Sequence, residues 1–203
     1  ETINTRVWQA VCQDMLGQSM PTLRIDKAEL VLSFGADFLG TWMSPIQFSA
    51  QYARFRSGDN RGMLVQAEPS MSLTGANADL WVAIRPGTEG IMALGLANVL
   101  IHKERMDASA LPAETQELIK KYNVSATSRI TGIAGDRLIR IARHLKNRSP
   151  SLVLAGGPAA CHTNGFEAVQ AAMILNVLLG NIGETIEASA DFAFPQLASV
   201  DGG

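Results

Sequence analysis

Four short apolar runs organise the pattern of this chain, and each leads into a loop that contains glycine, proline or an acidic residue. They lie at Leu30–Phe34, residues 63–67, residues 80–84 and Ser151–Ala155. Runs that are apolar at successive positions are typical of strands buried on both faces of a parallel sheet. Longer stretches with helical spacing separate them. The pattern therefore predicts an α/β fold, a Rossmann-like parallel sheet with helices on both faces.

The helical stretches are bounded by caps and turn residues. They are predicted at residues 5–16, at 45–56 after Ser44-Pro45, at 89–103, at 114–122, at 131–146 and from 165 to about 179. A strand, a glycine-containing loop and a helix follow one another twice. We therefore expect two related α/β halves, one at residues 1–105 and a second, partial one at 106–203. The last twenty residues are expected to be peripheral.

Composition limits the classes of function. Of the 203 residues, 47% are hydrophobic and 18% are charged, below the roughly 25% charged that is usual. This indicates either an ordinary apolar core or a surface covered by another domain or subunit. The net charge of −2 gives no electrostatic reason to expect nucleic acid. The longest apolar stretches are too short or too polar for direct membrane insertion.

The cysteines and the two ends of the sequence give little information on metal sites or on the compartment. Cys12 and Cys161 are far apart and form no CxxC pair, so they alone can build neither a zinc nor an iron–sulfur site. Buried free thiols are expected for both. No signal peptide is visible, and the compartment stays open. Because the chain starts at Glu1 and stops at Gly203, we expect a piece of a longer protein.

Candidate ligand-binding residues follow the predicted strands, because open α/β sheets bind ligands at the carboxyl ends of their strands. The loop after the first strand has neither the GxGxxG fingerprint nor a P-loop. Gly35 either lets a ligand approach the backbone or simply turns the chain. Asp37, Glu68 and Glu89 each come just beyond a strand. Their carboxylates can accept hydrogen bonds from a ribose or a base, or they cap helices and face water.

A second glycine-containing loop, residues 156–165, leads into a helix and is a possible phosphate site. His162 and Asn164 stand where a ligand would lie. His162 has no Ser, Cys or Asp partner at a recognisable spacing, so a structural hydrogen bond is the simpler interpretation. The three tryptophans are explained by packing. From the residues alone, the chain is a ligand-binding or scaffold domain, and no catalytic residue can be identified.

Several stretches, in one order along the chain, resemble the molybdopterin oxidoreductase family, also called the dimethyl sulfoxide reductase family. Gly35-Ala36-Asp37 is similar to the family's Gly-x-Asn or Gly-x-Asp strand end, and Glu68-Pro69-Ser70 to its Asp-Pro-Arg. Further matches are Ala-Asp-x-Trp at residues 78–81, Pro-Gly-Thr-Glu-Gly at 86–90, the Thr-Gly-Ile-Ala pattern at 131–143 and Asn-x-Leu-x-Gly-Asn-Ile-Gly at 176–183. Together they cover most of the chain.

The resemblance implies the pterin-binding region of an oxidoreductase in respiratory electron transfer, with strand-end loops that face a molybdopterin guanine dinucleotide. It implies a membrane-associated or periplasmic complex with iron–sulfur and membrane subunits, besides the remaining domains of the parent protein. Residues that would hold the pyrophosphate, ribose and guanine are Gly35, Ala36, Asp37, Glu68, Ser70, Gly87, Thr88 and Glu89. Those that would face the second pterin are Gly156, Gly157, His162 and Asn164.

Several departures from the family pattern argue against a bound cofactor. The cysteine cluster of an iron–sulfur centre is absent, and Trp8, which cannot ligate molybdenum, stands where many members place a metal-ligating Cys or Ser. Ser70 replaces an arginine and Glu68 an aspartate. The long loop after Gly35 is most similar to the molybdopterin-like subunit of alternative complex III, a branch in which the cofactor is lost. A cofactor-free respiratory scaffold and an unrelated nucleotide-binding module therefore remain as alternatives.

Overall fold

The computed structural model describes residues 2–17, 20–59 and 61–187, and a four-stranded parallel sheet forms its framework. The strands, in chain order, are β1 (Thr22–Leu23), β2 (Leu30–Phe34), β3 (Met63–Glu68), β4 (Leu80–Ala83), β5 (Ser151–Ala155) and β6 (Ile186–Glu187). The main sheet has the order β4–β3–β2–β5, with Leu30 opposite both Met63 and Ser151. β1 and β6 form a separate antiparallel pair. The predicted parallel sheet is confirmed.

Continuous apolar runs became strands because both of their faces are covered. Every residue of β2 and β5 is buried, and these two strands begin and end where the pattern predicts. The helices are α1 (Thr2–Leu16), α2 (Pro45–Phe55), α3 (Leu73–Ala76), α4 (Glu89–His102), α5 (Ala113–Lys120), α6 (Val124–Thr131), α7 (Gly135–Asn147), α8 (Pro158–Cys161) and α9 (Gly165–Leu178), with a 3₁₀ turn at Ile25–Lys27.

Two groups of helices cover the sheet. α2 packs against the 3₁₀ turn, whereas α4 packs against α9, α7 and α6, and α1 lies against α9. The chain runs from β2 to β3 to β4 in one direction and returns to β5 on the other side of β2, so right-handed crossovers place helices on both faces. α4 and α9 are apolar nearly all round and almost wholly buried, as helices in the middle of such a layer should be.

The outer edge of β5 is closed by side chains in place of another strand. Asn176 accepts a hydrogen bond from the Val153 N–H at 2.9 Å and donates to the Val153 carbonyl at 2.8 Å. Asn181 accepts from the Ser151 N–H, and Thr185 donates to the Ser151 carbonyl at 2.6 Å. These bonds satisfy backbone groups that an open edge would expose. They give the asparagines of the 176–183 stretch a structural role.

Two expectations of the sequence analysis are corrected. The helix predicted at residues 131–146 begins later, at Gly135, and the helix before it, α6, is missing from the prediction: α6 ends at Thr131, where Gly132 takes a left-handed conformation with φ of 83°. The N–H of Gly132 donates to the Ser128 carbonyl, which closes α6 in the usual glycine C-cap. Cys161 is exposed rather than buried, because it ends the short helix α8; Cys12 is buried.

The two predicted halves share this sheet, since β5, from the stretch after residue 105, pairs along its length with β2. A division into related halves near residue 105 stays a prediction about the organisation of the chain. The predicted peripheral segment lies mostly beyond residue 187 and therefore outside the described residues.

Candidate functional site

The carboxyl ends of β2, β3, β4 and β5 meet at one edge, which we call the carboxyl edge. Its loops are residues 35–44, 69–72, 84–88 and 156–164. The chain leaves β2 toward β3 on one side and β5 lies on the other, so the strand order reverses between β2 and β5. Ligands of open α/β sheets bind at such a switch point. The predicted site residues all lie at this edge.

Glycines at the switch point bring the two loops into backbone contact. Gly35 has φ of 67°, and a Cβ placed on it would lie 3.0 Å from the Gly156 carbonyl oxygen. A Cβ on Gly157 would lie 2.5 Å from the Gly35 carbonyl oxygen. The neighbouring Ala36 is buried, and its carbonyl accepts a hydrogen bond from Ser33. The glycines are thus explained by contact between the loops themselves.

Trp8 and Trp42 cover the switch point, and we call them the tryptophan cover. A Cβ on Gly156 would lie 2.1 Å from Nε1 of Trp42, so the indole lies directly on this glycine. Trp42 stacks on Phe48 at 5.5 Å between ring centroids and meets the edge of Trp8 at 6.1 Å. Nε1 of Trp8 donates to the Ala155 carbonyl at 2.6 Å. Nε1 of Trp42 is buried without a hydrogen-bond partner among the described residues.

Asp37 is used to hold the loop after β2 against α3. Its Oδ1 accepts hydrogen bonds from the N–H of Thr74 at 3.0 Å and from the Thr74 hydroxyl at 2.8 Å. Thr74 Oγ1 in turn accepts from the N–H of Leu39, and Thr41 donates to Asp37 Oδ2. This carboxylate is therefore committed to joining two loops of the protein.

Glu68 is the most completely engaged acid of the edge and is 2% exposed. Its Oε1 accepts from the N–H and the hydroxyl of Ser72 at 2.8 and 3.1 Å, and from Nε1 of Trp81 at 3.2 Å. Its Oε2 accepts from Nε2 of Gln66 at 2.9 Å. A buried carboxylate with four donors is satisfied without a ligand. Ser70, next to it, is exposed.

Glu89, Gly87, Asn164 and His162 form a second group on the other side of the edge. Nδ2 of Asn164 donates to the Gly87 carbonyl at 2.9 Å and ties the two loops together. Thr88, the residue just before α4, donates from its hydroxyl to the Arg85 carbonyl and makes no side-chain cap to the helix. Glu89 is 1% exposed, and its Oε1 has no partner among the described residues. Burial raises the pKa of Glu89, an effect that backbone N–H groups and His162 partly offset.

The candidate residues therefore separate into two groups. Asp37 and Glu68 both bind the segment that starts α3, whereas Glu89 lies with Asn164 and His162. Within the described ranges, no hydrogen bond joins Glu89 to either of the other two acids. Their role as cofactor-binding residues stays a prediction. The tryptophan cover was missed as part of the edge, because Trp8 lies 147 positions from its partner Ala155.

A guanine dinucleotide does not fit the edge in this arrangement. Its pyrophosphate requires donors or positive charge, whereas the twelve candidates include three acids and neither a lysine nor an arginine. Asp37 and Glu68 are engaged within the protein, and the indole of Trp42 lies directly on Gly156. Arg85, in the loop before α4, donates to the carbonyls of Arg129 and Ile130.

Over the described ranges, no group of three or more His, Cys, Asp or Glu side chains is arranged to hold a metal ion. No helix in those ranges has the length and apolarity needed to cross a membrane.

The chain is similar in sequence to several known proteins. No family model matches the chain. It is 31% identical over 173 residues to the menaquinone reductase, molybdopterin-binding-like subunit, of Nitratidesulfovibrio vulgaris, covering 83% of this chain and 24% of that protein. It is 30% identical over 185 residues to dimethyl sulfoxide reductase DmsA of Escherichia coli, covering 78% and 23%. The chain thus spans about a quarter of the length of these relatives.

A solved structure has the same fold. Acetylene hydratase from Pelobacter acetylenicus superposes with a TM-score of 0.73 over 90% of this chain and 25% of that one. The sequence identity is 19%, so the similarity is one of fold.

Proposed function

Because this chain belongs to the dimethyl sulfoxide reductase family of molybdopterin oxidoreductases, we propose that it forms one wall of the pterin cleft in a longer respiratory subunit. In this chain the wall acts as a scaffold and does not grip a molybdopterin guanine dinucleotide. Family membership implies a molybdenum–pterin cofactor in the ancestral arrangement. It also excludes the alternative of an unrelated nucleotide-binding module.

Glu68 carries the scaffold proposal. It stands at the strand end where the family resemblance expects an acid that faces the cofactor, and Gln66, Ser72 and Trp81 already occupy both of its oxygens. Glu68 is 2% exposed, so a ribose or a base could reach it only if the hydrogen-bonded groups that bury it moved apart. Each bond to a charged group contributes about 1.5–3 kcal/mol. The tryptophan cover over Gly156 supports the same conclusion from the neighbouring strand.

The proposed setting is a multisubunit respiratory complex, periplasmic or membrane-associated. One relative is named as a subunit of menaquinone reductase and as molybdopterin-binding-like. The charged fraction of 18% agrees with a surface partly covered by the remaining domains and by iron–sulfur and membrane subunits.

Glu89 favours a second candidate function, the holding of a pterin cofactor. Its Oε1 is buried and unpartnered, whereas buried polar atoms normally have a hydrogen-bond partner. Guanine and pterin rings carry N–H donors of the kind this oxygen lacks. In this alternative the parent protein is a molybdenum oxidoreductase, and its catalytic residues lie outside this chain.

Metal and pterin analysis separates the two candidates. The full-length protein is purified with its partner subunits, molybdenum and tungsten are measured by mass spectrometry, and pterin by fluorescence after oxidation. A cofactor-loaded member of the family, purified in the same way, is the control. The scaffold proposal expects neither metal above background while the partner subunits still co-purify. Stoichiometric molybdenum or tungsten with extractable pterin would overturn it.

A further inference from the structure

A groove of about 350 Å³ lies at the opposite end of the sheet from the carboxyl edge. We call it the arginine groove, and the side chains that define it are Arg56, Arg61, Asp79, His144 and Arg148. They come from the end of α2, the segments that enter β3 and β4, and the end of α7. Its size falls within the roughly 300–1,000 Å³ that is usual for small-molecule sites.

Arg56 and Asp79 form the fixed part of the groove. Asp79 accepts from the two terminal guanidinium nitrogens of Arg56 at 2.5 and 2.9 Å, and from the N–H of Leu64 at 2.8 Å. Arg56 also donates to the Gly62 carbonyl at 2.6 Å and lies 5.8 Å from the ring centroid of Tyr52. These contacts hold the guanidinium in one orientation, which lowers the entropic cost of binding a ligand.

The floor of the groove is equally constrained. A Cβ on Gly62 would lie 2.0 Å from the ring of Phe55, so the backbone at Gly62 lies flat on this buried side chain. The N–H of Gly62 donates to the Phe55 carbonyl at 2.8 Å. Ligands bind more tightly to surfaces that need no rearrangement.

The charge of the groove is positive in a chain whose net charge is negative. Three guanidinium groups and one carboxylate leave a local charge of +2 (3 − 1) before His144 is counted, whereas the whole chain carries −2. Over the described ranges, neither Arg61 nor Arg148 has an ion-pair partner within 4 Å. Two guanidinium groups are therefore available to an anion.

We propose that the arginine groove binds a small phosphate-bearing anion. Guanidinium groups match the oxygens of phosphate with paired, charge-assisted hydrogen bonds. In the bound state Arg61 and Arg148 contact the phosphate oxygens, His144 adds a ring nitrogen, and the Arg56–Asp79 pair keeps the wall in place. This site is independent of the carboxyl edge and of the scaffold function.

Calorimetric titration of the full-length protein tests the site, with inorganic phosphate and adenosine monophosphate as probes at constant ionic strength. Saturable binding of one anion per chain is expected. Arg61→Gln and Arg148→Gln should each weaken it about tenfold, the loss expected for one charge-assisted hydrogen bond. Arg140→Gln is the matched control on α7, because Arg140 is exposed and its one ion-pair partner among the described residues is Asp136.

The two probes also identify the source of the phosphate. Tighter binding of adenosine monophosphate indicates a phosphorylated small molecule, and equal binding indicates free phosphate; either supports the site. The proposal would be overturned if neither probe showed saturable binding up to about 10 mM, a concentration far above the dissociation constants of specific sites. An equal loss of affinity in Arg140→Gln would do the same, because binding would then follow net charge alone.

Discussion

The two ends of the parallel sheet differ in what their side chains are free to do. At the carboxyl edge, where topology predicts a ligand, Asp37 and Glu68 bind the protein itself and the tryptophan cover lies on Gly156. At the amino end of the same strands, the arginine groove contains two guanidinium groups without ion-pair partners in the described residues. Topology indicates where a fold can bind, and the hydrogen bonds of each side chain decide whether it does.

The difference between the two ends of the sheet has a physical cause. A carboxylate in a buried strand-end loop must be hydrogen-bonded, whether by a ligand or by the protein. When a chain supplies its own donors, as Ser72 and Trp81 do for Glu68, the site becomes part of the core. Arginines that keep contact with water, such as Arg61 and the half-buried Arg148, carry no such requirement, so they remain available to an anion.

The largest expected effect is on the tryptophan cover. Trp42→Ala removes a side chain that is 1% exposed and stacked on Phe48, and should lower the free energy of unfolding by about 3–5 kcal/mol. Urea unfolding measures it, with Ile46→Ala as the control because Ile46 is 89% exposed. If Trp42→Ala lowered the free energy of unfolding as little as Ile46→Ala does, Trp42 would not cover the carboxyl edge.

Glu68→Ala should lower the free energy of unfolding by about 3 kcal/mol, because Ser72, Trp81 and Gln66 lose a buried, charged acceptor. The same urea experiment measures it. Glu29→Ala is the matched control: Glu29 is exposed, and its removal should change stability by less than about 0.5 kcal/mol. Equal effects would show that Glu68 is not committed to the protein.

Glu89 should make the carboxyl edge less stable as the pH rises. Burial raises its pKa above the ordinary value of 4.5, so the folded state keeps a proton that the unfolded state releases. The stabilising contribution is complete below pH 4.5 and is lost as the pH rises through the raised pKa.

Glu89→Gln should therefore flatten the dependence of unfolding free energy on pH above 4.5. Thermal or urea unfolding at a series of pH values checks it. Glu167→Gln, an exposed acid in the first turn of α9, should leave the dependence unchanged. A slope that Glu89→Gln does not alter would contradict the raised pKa.

Asp79, at the amino end of the sheet, should make the protein more stable as the pH rises, which is the opposite of the effect of Glu89. Burial opposes ionisation, but hydrogen bonds from Arg56 and from the Leu64 N–H outweigh it and lower the pKa of Asp79 below 3.8. Its stabilisation is present above pH 3.8 and is lost as the pH falls through the lowered pKa.

Asp79→Asn should lower stability at neutral pH by about 1 kcal/mol or less, because the ion pair is partly exposed to water and screened. The difference from the unmodified chain should shrink in acid. Asp136→Asn, at a position whose side chain is 76% exposed, is the control. If the difference in unfolding free energy between Asp79→Asn and the unmodified chain grew as the pH fell, the lowered pKa of Asp79 would be contradicted.

The sequence predicts the strands well because their burial is written into short apolar runs, as in β2 and β5. It also predicts that the candidate residues lie together at the carboxyl edge of the sheet, since that follows from parallel strands alone. Helix α6 is missed and α7 is predicted to begin at residue 131, because the pattern does not reveal that Gly132 ends one helix in a left-handed conformation before the next begins at Gly135.

What the sequence does not reveal is whether a candidate side chain is already bound. Asp37 meets Thr74 across 37 positions, and Trp42 lies on Gly156. Such partnerships depend on tertiary packing, which no local spacing predicts. The arginine groove is missed for the same reason: residues near 56, 79 and 148 converge only in the folded chain.

The central claim is that the carboxyl edge binds the protein itself in place of a guanine dinucleotide. Its most direct test is the guanosine monophosphate released by acid hydrolysis of the purified full-length protein, quantified by chromatography per mole of chain. The account predicts none above the buffer blank. Release of one or more equivalents per chain would contradict it.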